Sequence, residues 1–125
     1  MSEYLGMFEL QPLYDGRKSF YGKAFVERWN VENGTQYVLA SYGTTVATVT
    51  PTSDGGVVPA TYEVKVAMGL LSATTLRHVK EFLAQTDDVF RGITLNWLRD
   101  KVYGGKTVDN GEFDRFRNLY VMHEM

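Results

Sequence analysis

The hydrophobic period of this chain changes once, and that change limits the folds it can adopt. Up to residue 66, apolar side chains recur mainly at every second position, whereas from residue 72 they recur at intervals of three and four. The first spacing is typical of half-buried strands and the second of amphipathic helices. Strands followed by helices predict an α+β domain, with a curved antiparallel sheet of four to five strands from the N-terminal two-thirds packed by two to three C-terminal helices. No internal repeat and no linker divides the 125 residues, so a single domain over 1–125 is expected.

Strand-like segments occupy the first half of the chain. Four of them alternate and are rich in β-branched or aromatic residues: 17–29, 36–42, 44–50 and 61–66. The Asn33-Gly34 pair favours the positive φ of a tight hairpin between the first two. The first segment is predicted to place Phe20, Gly22, Ala24 and Val26 on one face, with Tyr21 and Lys23 on the other. A further strand could lie within 7–14, where Pro12 would confine it to an edge of the sheet.

Residues 72–85 are predicted to form an amphipathic helix with Ser72 as its N-cap. Its buried face is predicted to consist of Leu76, Val79, Phe82 and Leu83. Its polar face is predicted to consist of Arg77, His78, Lys80, Glu81 and Gln85. Because nothing in the sequence orients His78, its imidazole is expected to be solvated. Arg77 and Glu81 have the spacing of an i, i+4 ion pair.

A second helical region covers 88–105. Because Gly92 weakens its first half, the helix is expected to begin near Thr94. The Gly104-Gly105 pair then ends it.

Two further segments each allow two interpretations. Asp87-Asp88 is expected to cap a helix, and cation binding is the alternative. In the C-terminal segment 109–125, Asp109 to Glu112 fits a helix N-terminus, with Phe113, Phe116 and Tyr120 on one helical face. The Asn110-Gly111 pair equally suits a turn between two short strands. The helix is favoured.

Residue types that usually carry catalysis are scarce. There is no cysteine, which excludes disulfides, thiolate nucleophiles and cysteine-based metal centres. The two histidines, His78 and His123, lack metal-ligand spacing, and neither a glycine-rich phosphate loop nor a Ser/His/Asp arrangement can be recognised. The sequence therefore predicts a protein that is not an enzyme and uses no metal or cofactor.

The net charge of −2 lacks the basic excess of proteins that hold nucleic acid mainly through its phosphates. No apolar run is long enough to span a bilayer, and the first residues lack the basic and apolar regions of a secretory signal. A reducing cytoplasm is the expected compartment, and no contact with a membrane is expected.

A binding surface is the remaining functional signal. Arg77, His78 and Lys80 share the predicted exposed side of one helix. A solvated face is the simpler interpretation, and contact with an anion, a nucleotide or a protein partner is the alternative. Exposed tyrosines are favoured anchors of interfaces, and Tyr42 is expected to project beside the strand break at Gly43. The candidate residues for binding a partner or an anion are Arg77, His78, Lys80, Tyr42, Tyr21 and Lys23.

Three segments together resemble a family of small proteins encoded by bacteriophages and prophages. They are SFYGKAFVE at 19–27, LASYGTTVATV at 39–49 and SATTLRHVKEFLAQ at 72–85. The resemblance covers residues 14–86. It brings no catalytic residues with it, because that family has no established shared activity. It implies a phage or mobile-element protein in the host cytoplasm.

Small phage proteins without catalytic machinery commonly act by stoichiometric binding. The resemblance therefore implies inhibition of a host defence protein such as a CRISPR nuclease. Binding of nucleic acid or a nucleotide by the basic helix face is the alternative, and a virion or assembly component is the third possibility.

Overall fold

A computed structural model describes residues 2–54, 56, 60–109 and 118–125. Within these residues the chain is an α+β protein with an open seven-stranded sheet and two α-helices. The strands are β1 Glu3–Glu9, β2 Ala24–Val31, β3 Gly34–Ser41, β4 Thr44–Pro51, β5 Ala60–Val66, β6 Thr107–Asp109 and β7 Asn118–Glu124. The helices are α1 Ala73–Thr86 and α2 Leu95–Val102, and short 3-10 turns occupy Met68–Leu70 and Asp88–Phe90. The α+β class agrees with the sequence pattern, but the sheet has more strands than the predicted four to five.

The sheet is mixed rather than wholly antiparallel. Its strand order is β1-β2-β3-β4-β5-β7-β6, and β1 to β5 form an antiparallel meander. The chain then passes through both helices before β7 returns beside β5 in parallel, with Ala60 opposite Asn118 and Val66 opposite Glu124. A parallel pair requires such a long crossover. This pairing lies far apart in sequence, so local periodicity gave no sign of it.

The C-terminal segment forms strands where the sequence favours a helix. β7 carries Tyr120, and β6 pairs with it antiparallel through Val108 and Tyr120. The predicted helical face that included Tyr120 is therefore wrong. The Asn110-Gly111 turn, with Phe113 and Phe116, lies outside the described residues.

The hairpins and their turns follow the sequence closely. The β2–β3 hairpin closes one residue earlier than predicted, with Glu32 and Asn33 between the paired residues Val31 and Gly34, and of the predicted Asn33-Gly34 pair only Gly34 has a positive φ, at 140°. The β3–β4 turn is Tyr42-Gly43, in which both residues have positive φ, at 52° and 80°. Two successive positive φ values characterise the type I′ turn, whose twist matches the flanking strands.

The N-terminal third departs from the predicted boundaries. β1 covers Glu3–Glu9 rather than 7–14, although it is an edge strand as predicted. β2 begins only at Ala24, because Tyr21 and Gly22 turn the chain with φ values of 54° and 69°. Residues 10–23, called the N-terminal loop here, connect the two strands. Phe20 still reaches the core, but Gly22 lies exposed at the turn.

One face of the sheet is apolar and carries the core. Cross-strand neighbours on this face include Val26 with Leu39 and Val49 with Val64, and all four are buried. The helices complete the same apolar cluster through buried residues that include Val79, Phe82, Leu83, Leu98 and Val102. The predicted N-cap of α1 is confirmed, since Ser72 accepts from the Thr75 N–H, and α2 begins near Thr94 as predicted, with Thr94 as its N-cap accepting from the Trp97 N–H. Leu76, predicted to be buried, is only partly so.

Within the described residues, neither helix is long and apolar enough to cross a bilayer.

Candidate functional site

A cavity of about 240 Å³ lies where three segments meet. They are the second half of the N-terminal loop, the β3–β4 turn and the first two turns of α1. We call this cavity the basic pocket; its lining residues are Arg17, Ser19, Phe20, Tyr21, Lys23, Tyr42, Thr74 and His78. Four of the six candidate binding residues therefore line one cavity, although they lie far apart in the sequence.

Two strained turns shape the mouth of the basic pocket. Tyr21 and Tyr42 are the non-glycine residues with positive φ in the described part of the chain. That conformation costs an L-residue about 1–2 kcal/mol, so it persists only where the surroundings impose it. The Tyr42 N–H donates to the carbonyl of Lys23 over 2.8 Å and ties the turn to the N-terminal loop. Tyr21 and Tyr42 are 74% and 57% exposed, so the two turns place largely solvent-exposed aromatic residues at the mouth.

His78 lies at the inner wall of the pocket and is only 1% exposed, so the expectation of a solvated imidazole is wrong. Its ring packs edge-on against Phe20, with 4.6 Å between centroids, and lies 6.0 Å from the Tyr42 ring. The helical pattern did not predict this burial, because it assumes that the helix packs against one surface only, the sheet. The N-terminal loop supplies a second surface, which covers His78.

Hydroxyl groups hold the His78 ring in place. Ser41 Oγ lies 2.8 Å from Nδ1 of His78 and 3.1 Å from Oγ1 of Thr75, which in turn accepts from the Ser72 hydroxyl. We call Ser41, Thr75 and His78 the hydroxyl cluster; all three are buried. Burial lowers the pKa of His78 below its usual 6.5, and Arg17 adds to the shift while Asp15 opposes it. The imidazole is therefore neutral at pH 7.

The pocket is chemically suited to an anion. Arg17 and Lys23 supply two cations, and among the described residues no carboxylate lines the cavity. Ser19 and Thr74 add hydroxyl groups that can donate hydrogen bonds. Cations and hydroxyl donors around one cavity fit the acceptor oxygens of a phosphate, a sulfate or a carboxylate.

The remaining candidates, Arg77 and Lys80, do not reach the basic pocket. Arg77 pairs with Asp15 at 3.1 Å rather than with Glu81 as predicted. Lys80 lines a separate cavity together with Asp15 and Glu81. The predicted face of Arg77, His78 and Lys80 is thus divided among an ion pair, a buried ring and a mixed-charge cavity.

Glu81 fastens the N-terminal loop to α1. Glu81 is 2% exposed, and its carboxylate accepts hydrogen bonds from the backbone N–H groups of Tyr14 and Asp15, each over 2.8 Å. Gln85 donates to the same carboxylate and to the carbonyl of Gln11. These contacts fix the loop that carries the pocket residues, so Glu81 and Gln85 act as positioning residues.

The sequence pattern missed Arg17 and Ser19. Read as a strand, residues 17–29 place every odd-numbered side chain on the face of Tyr21 and Lys23. Residues 17–23 instead form a loop that turns at Tyr21 and Gly22, and Phe20 lines the pocket together with Arg17, Ser19, Tyr21 and Lys23. Strand alternation therefore does not account for the pocket lining, and local periodicity could not place Arg17 and Ser19 there.

A second polar cluster lies at the far end of α1. Asp87 accepts hydrogen bonds from Val89 N–H, from Asn118 Nδ2 at 2.6 Å and from the Tyr120 hydroxyl at 3.0 Å. We call Asp87, Asn118 and Tyr120 the carboxylate cluster. Burial alone would raise the pKa of Asp87, but these hydrogen bonds outweigh it and lower the pKa below 3.8. The capping role predicted for Asp87 is confirmed.

The Ser41–His78 pair does not have the geometry of an activated nucleophile. Ser41 is 3% exposed, so a substrate carbonyl cannot approach its hydroxyl. Within the described residues no group of three metal-ligating side chains occurs. What the site can do is hold an anionic group between two cations and nearby hydroxyls.

Comparison with known families locates this site inside a defined family segment. Residues 8–97 match the model of a family of unknown function, DUF8033. The chain belongs to DUF8033. The matched segment contains every residue of the basic pocket and the hydroxyl cluster, and it ends before β6 and β7 of this DUF8033 chain. No curated protein and no solved structure matches the chain.

Proposed function

We propose that this DUF8033 chain is a stoichiometric binding protein that holds an anionic group of its partner in the basic pocket. The observation that carries the proposal is the convergence of Arg17, Lys23 and the His78 ring on one cavity that is lined by no carboxylate of the described part of the chain. Backbone strain at Tyr21 and Tyr42 supports it, because strained backbone tends to be retained where it shapes a binding or catalytic site.

The partner class that we propose is a host defence protein, such as a CRISPR nuclease, met in the host cytoplasm. This part of the proposal rests on the resemblance of residues 14–86 to small phage proteins. An acidic side chain or a bound phosphate on that partner would enter the pocket. The tyrosines at the mouth would contribute contact area, since aromatic residues are enriched among the energetic anchors of interfaces. A virion or assembly component would use the same chemistry on a structural partner.

Direct binding of a nucleotide or nucleic acid is the second candidate, and one observation favours it. The exposed rings of Tyr21 and Tyr42 lie beside the cations Arg17 and Lys23. A phosphate held by the cations would place a base within reach of the rings, and base stacking on an aromatic ring contributes about 1–3 kcal/mol.

Three double variants, each lacking two cations, test the site. Tagged wild-type protein is used to capture partners from a bacterial lysate, and the captured component is identified and titrated against the purified variants. We expect Arg17→Ala with Lys23→Ala to weaken binding by about tenfold or more, equivalent to about 1.4 kcal/mol. Lys18→Ala with Lys106→Ala, at exposed positions outside the pocket, should stay within about twofold.

The third variant addresses the basic helix face. If Arg77→Ala with Lys80→Ala abolished binding while the pocket variant bound normally, the pocket assignment would be wrong. Protein that inactivates many equivalents of its target at sub-stoichiometric amounts would overturn the binding proposal itself. For the nucleotide candidate, the probe is a labelled single-stranded oligonucleotide. Loss of both pocket cations should reduce the slope of log affinity against log salt by up to about two.

A further inference from the structure

The outer edge of the sheet at β1 is apolar and unpaired within the described residues. β1 is terminal in the strand order and pairs on one side only, with β2. Four of its side chains are large, apolar and exposed: Tyr4, Leu5, Met7 and Phe8. An edge strand leaves a row of backbone N–H and C=O groups free, which is a template for pairing with another chain.

This edge lacks much of the usual protection against such pairing. Edge strands are commonly protected by lysine, by proline or by a covering segment. β1 contains no lysine and no proline, and its charged residues, Glu3 and Glu9, stand only at its ends. One protective device is present: the register shifts between Tyr4 and Gly6, so a bulge interrupts the pairing with β2. Residues 6–9 continue beyond the bulge in regular register.

An apolar cavity adjoins the inner side of this edge. It measures about 200 Å³ and lies between the sheet and α1, with Phe8, Leu10, Val26, Tyr37 and Phe82 as its apolar lining residues. Phe8 belongs to both features, so a strand added along β1 would pass next to the cavity. A side chain of that strand could enter it, which is the usual source of specificity when a peptide extends a sheet.

The charges indicate what kind of strand would fit. The charged residues of β1 are two carboxylates, Glu3 and Glu9, at its ends, whereas Asp15 beyond it is paired with Arg77. Glu9 also accepts from the Gly22 N–H, and this contact fixes one carboxylate at the end of β1. A second copy would bring another segment with the same acidic excess. An extended segment with basic ends would instead meet opposite charges, and like charges directly opposed across strands are destabilising.

We propose that β1 is a docking edge for an extended segment of a protein partner, with alternating apolar residues and Lys or Arg at its ends. The segment adds an eighth strand to the sheet beside β1 and inserts an apolar side chain next to Phe8. This interaction is separate from the basic pocket, so either site can function without the other.

The test uses a displayed library of short random peptides selected on the intact wild-type chain. Enriched peptides should show alternating apolar residues with Lys or Arg at the ends. Synthesised versions should bind wild-type protein at least about tenfold more tightly than the Leu5→Lys, Met7→Lys double variant. The matched control, Leu13→Lys with Tyr103→Lys, makes the same charge change at exposed apolar sites outside β1 and should bind within about twofold of wild type.

Two further measurements separate the possible outcomes. Backbone hydrogen exchange on wild-type protein needs no variant, and the peptide should add protection within residues 3–9. The Arg17→Ala, Lys23→Ala variant should bind the peptide normally, which distinguishes failure of this proposal from failure of the pocket. Enrichment of acidic peptides, protection elsewhere, or a wild-type dimer that the β1 variant converts to monomer would each overturn the proposal; the last would make a second copy the occupant.

Discussion

Two polar clusters, one buried and one partly buried, lie at opposite ends of α1, and they differ in what remains for a ligand. The hydroxyl cluster joins Ser41 on β3 to Thr75 and His78 in the first half of the helix. The carboxylate cluster joins Asp87, just beyond the helix, to Asn118 and Tyr120 on β7. Both link the helix layer to the sheet, but the hydroxyl cluster opens onto a cavity.

The two clusters differ in how completely their polar atoms are hydrogen-bonded. Asp87 carries a charge that donors from two described segments stabilise, the Val89 N–H just beyond α1 and the Asn118 and Tyr120 side chains on β7. Burial and the negative charge of Asp87 raise the pKa of Tyr120, so its hydroxyl stays protonated and donating. His78 is neutral and is hydrogen-bonded through Nδ1 alone among the described residues. A fully satisfied cluster stabilises the fold, whereas one with a free ring edge on a basic cavity can also serve binding.

The largest expected effect is on stability, and it comes from a core residue of α1 that lies between the two clusters. Phe82 is buried on α1 in the apolar core, so Phe82→Ala should lower the free energy of unfolding by about 3–5 kcal/mol. Urea denaturation gives this value. A loss under about 1 kcal/mol would contradict the assignment of Phe82 to the core and would leave the two clusters unconnected by packing.

The next prediction distinguishes the two clusters by their separate effects on stability and on ligand binding. Asp87→Ala removes the acceptor for Val89, Asn118 and Tyr120, and buried donors left without partners are costly. We expect a loss of about 2–4 kcal/mol in unfolding free energy, with ligand binding by the folded protein unchanged. Ser41→Ala should have the opposite profile, with a loss of about 1 kcal/mol and clearly weaker binding. Equal effects of both substitutions on binding would remove the distinction between the clusters.

The sequence predicts the local elements of the fold better than the non-local contacts between them, for a physical reason. Helix α1, its N-cap and the four strands from β2 to β5 arise from local periodicity and turn chemistry, and all are present. His78 and Glu81 were misplaced because their partners, Phe20 and the 14–15 backbone, come from a loop more than fifty residues away. For the C-terminal segment the sequence left two short strands open as the alternative but favoured a helix, and nothing local indicated the parallel pairing of β7 with β5.

A smaller effect tests whether the strained mouth is kept for binding. Tyr42→Gly relieves a positive φ, so the folded protein should gain about 0.5–1 kcal/mol after the added flexibility of the unfolded chain is counted. The same change removes a ring that lies at the pocket, so binding of the partner should weaken. Thermal unfolding and titration measure the two effects. As the control, Tyr103→Gly removes an exposed ring without a positive φ and should not increase stability.

The smallest effect is a pH dependence of stability. Each cluster loses its contribution over a different acid range. The lowered pKa of Asp87 means that its contribution is complete above 3.8 and is lost as pH falls below that value. The lowered pKa of His78 acts in a higher range. The unfolded chain takes up a proton near 6.5 while the folded ring resists it, so stability should fall as pH drops below 6.5. Comparing wild type with His78→Gln from pH 7.5 to 5 isolates this contribution, and His123→Gln, at a partly exposed site, should leave it in place.

Binding of an anion in the basic pocket should depend on pH in the opposite direction to the stability of the free protein. It favours the protonated imidazole, so affinity for sulfate, whose charge is constant over this range, should rise as pH falls below 6.5 while the stability of the free protein declines. Calorimetric titration at several pH values measures this, and His78→Gln should abolish the dependence. Sulfate affinity that does not change with pH in wild type would mean that the ring does not face the bound anion. The hydroxyl cluster would then be a structural feature like the carboxylate cluster.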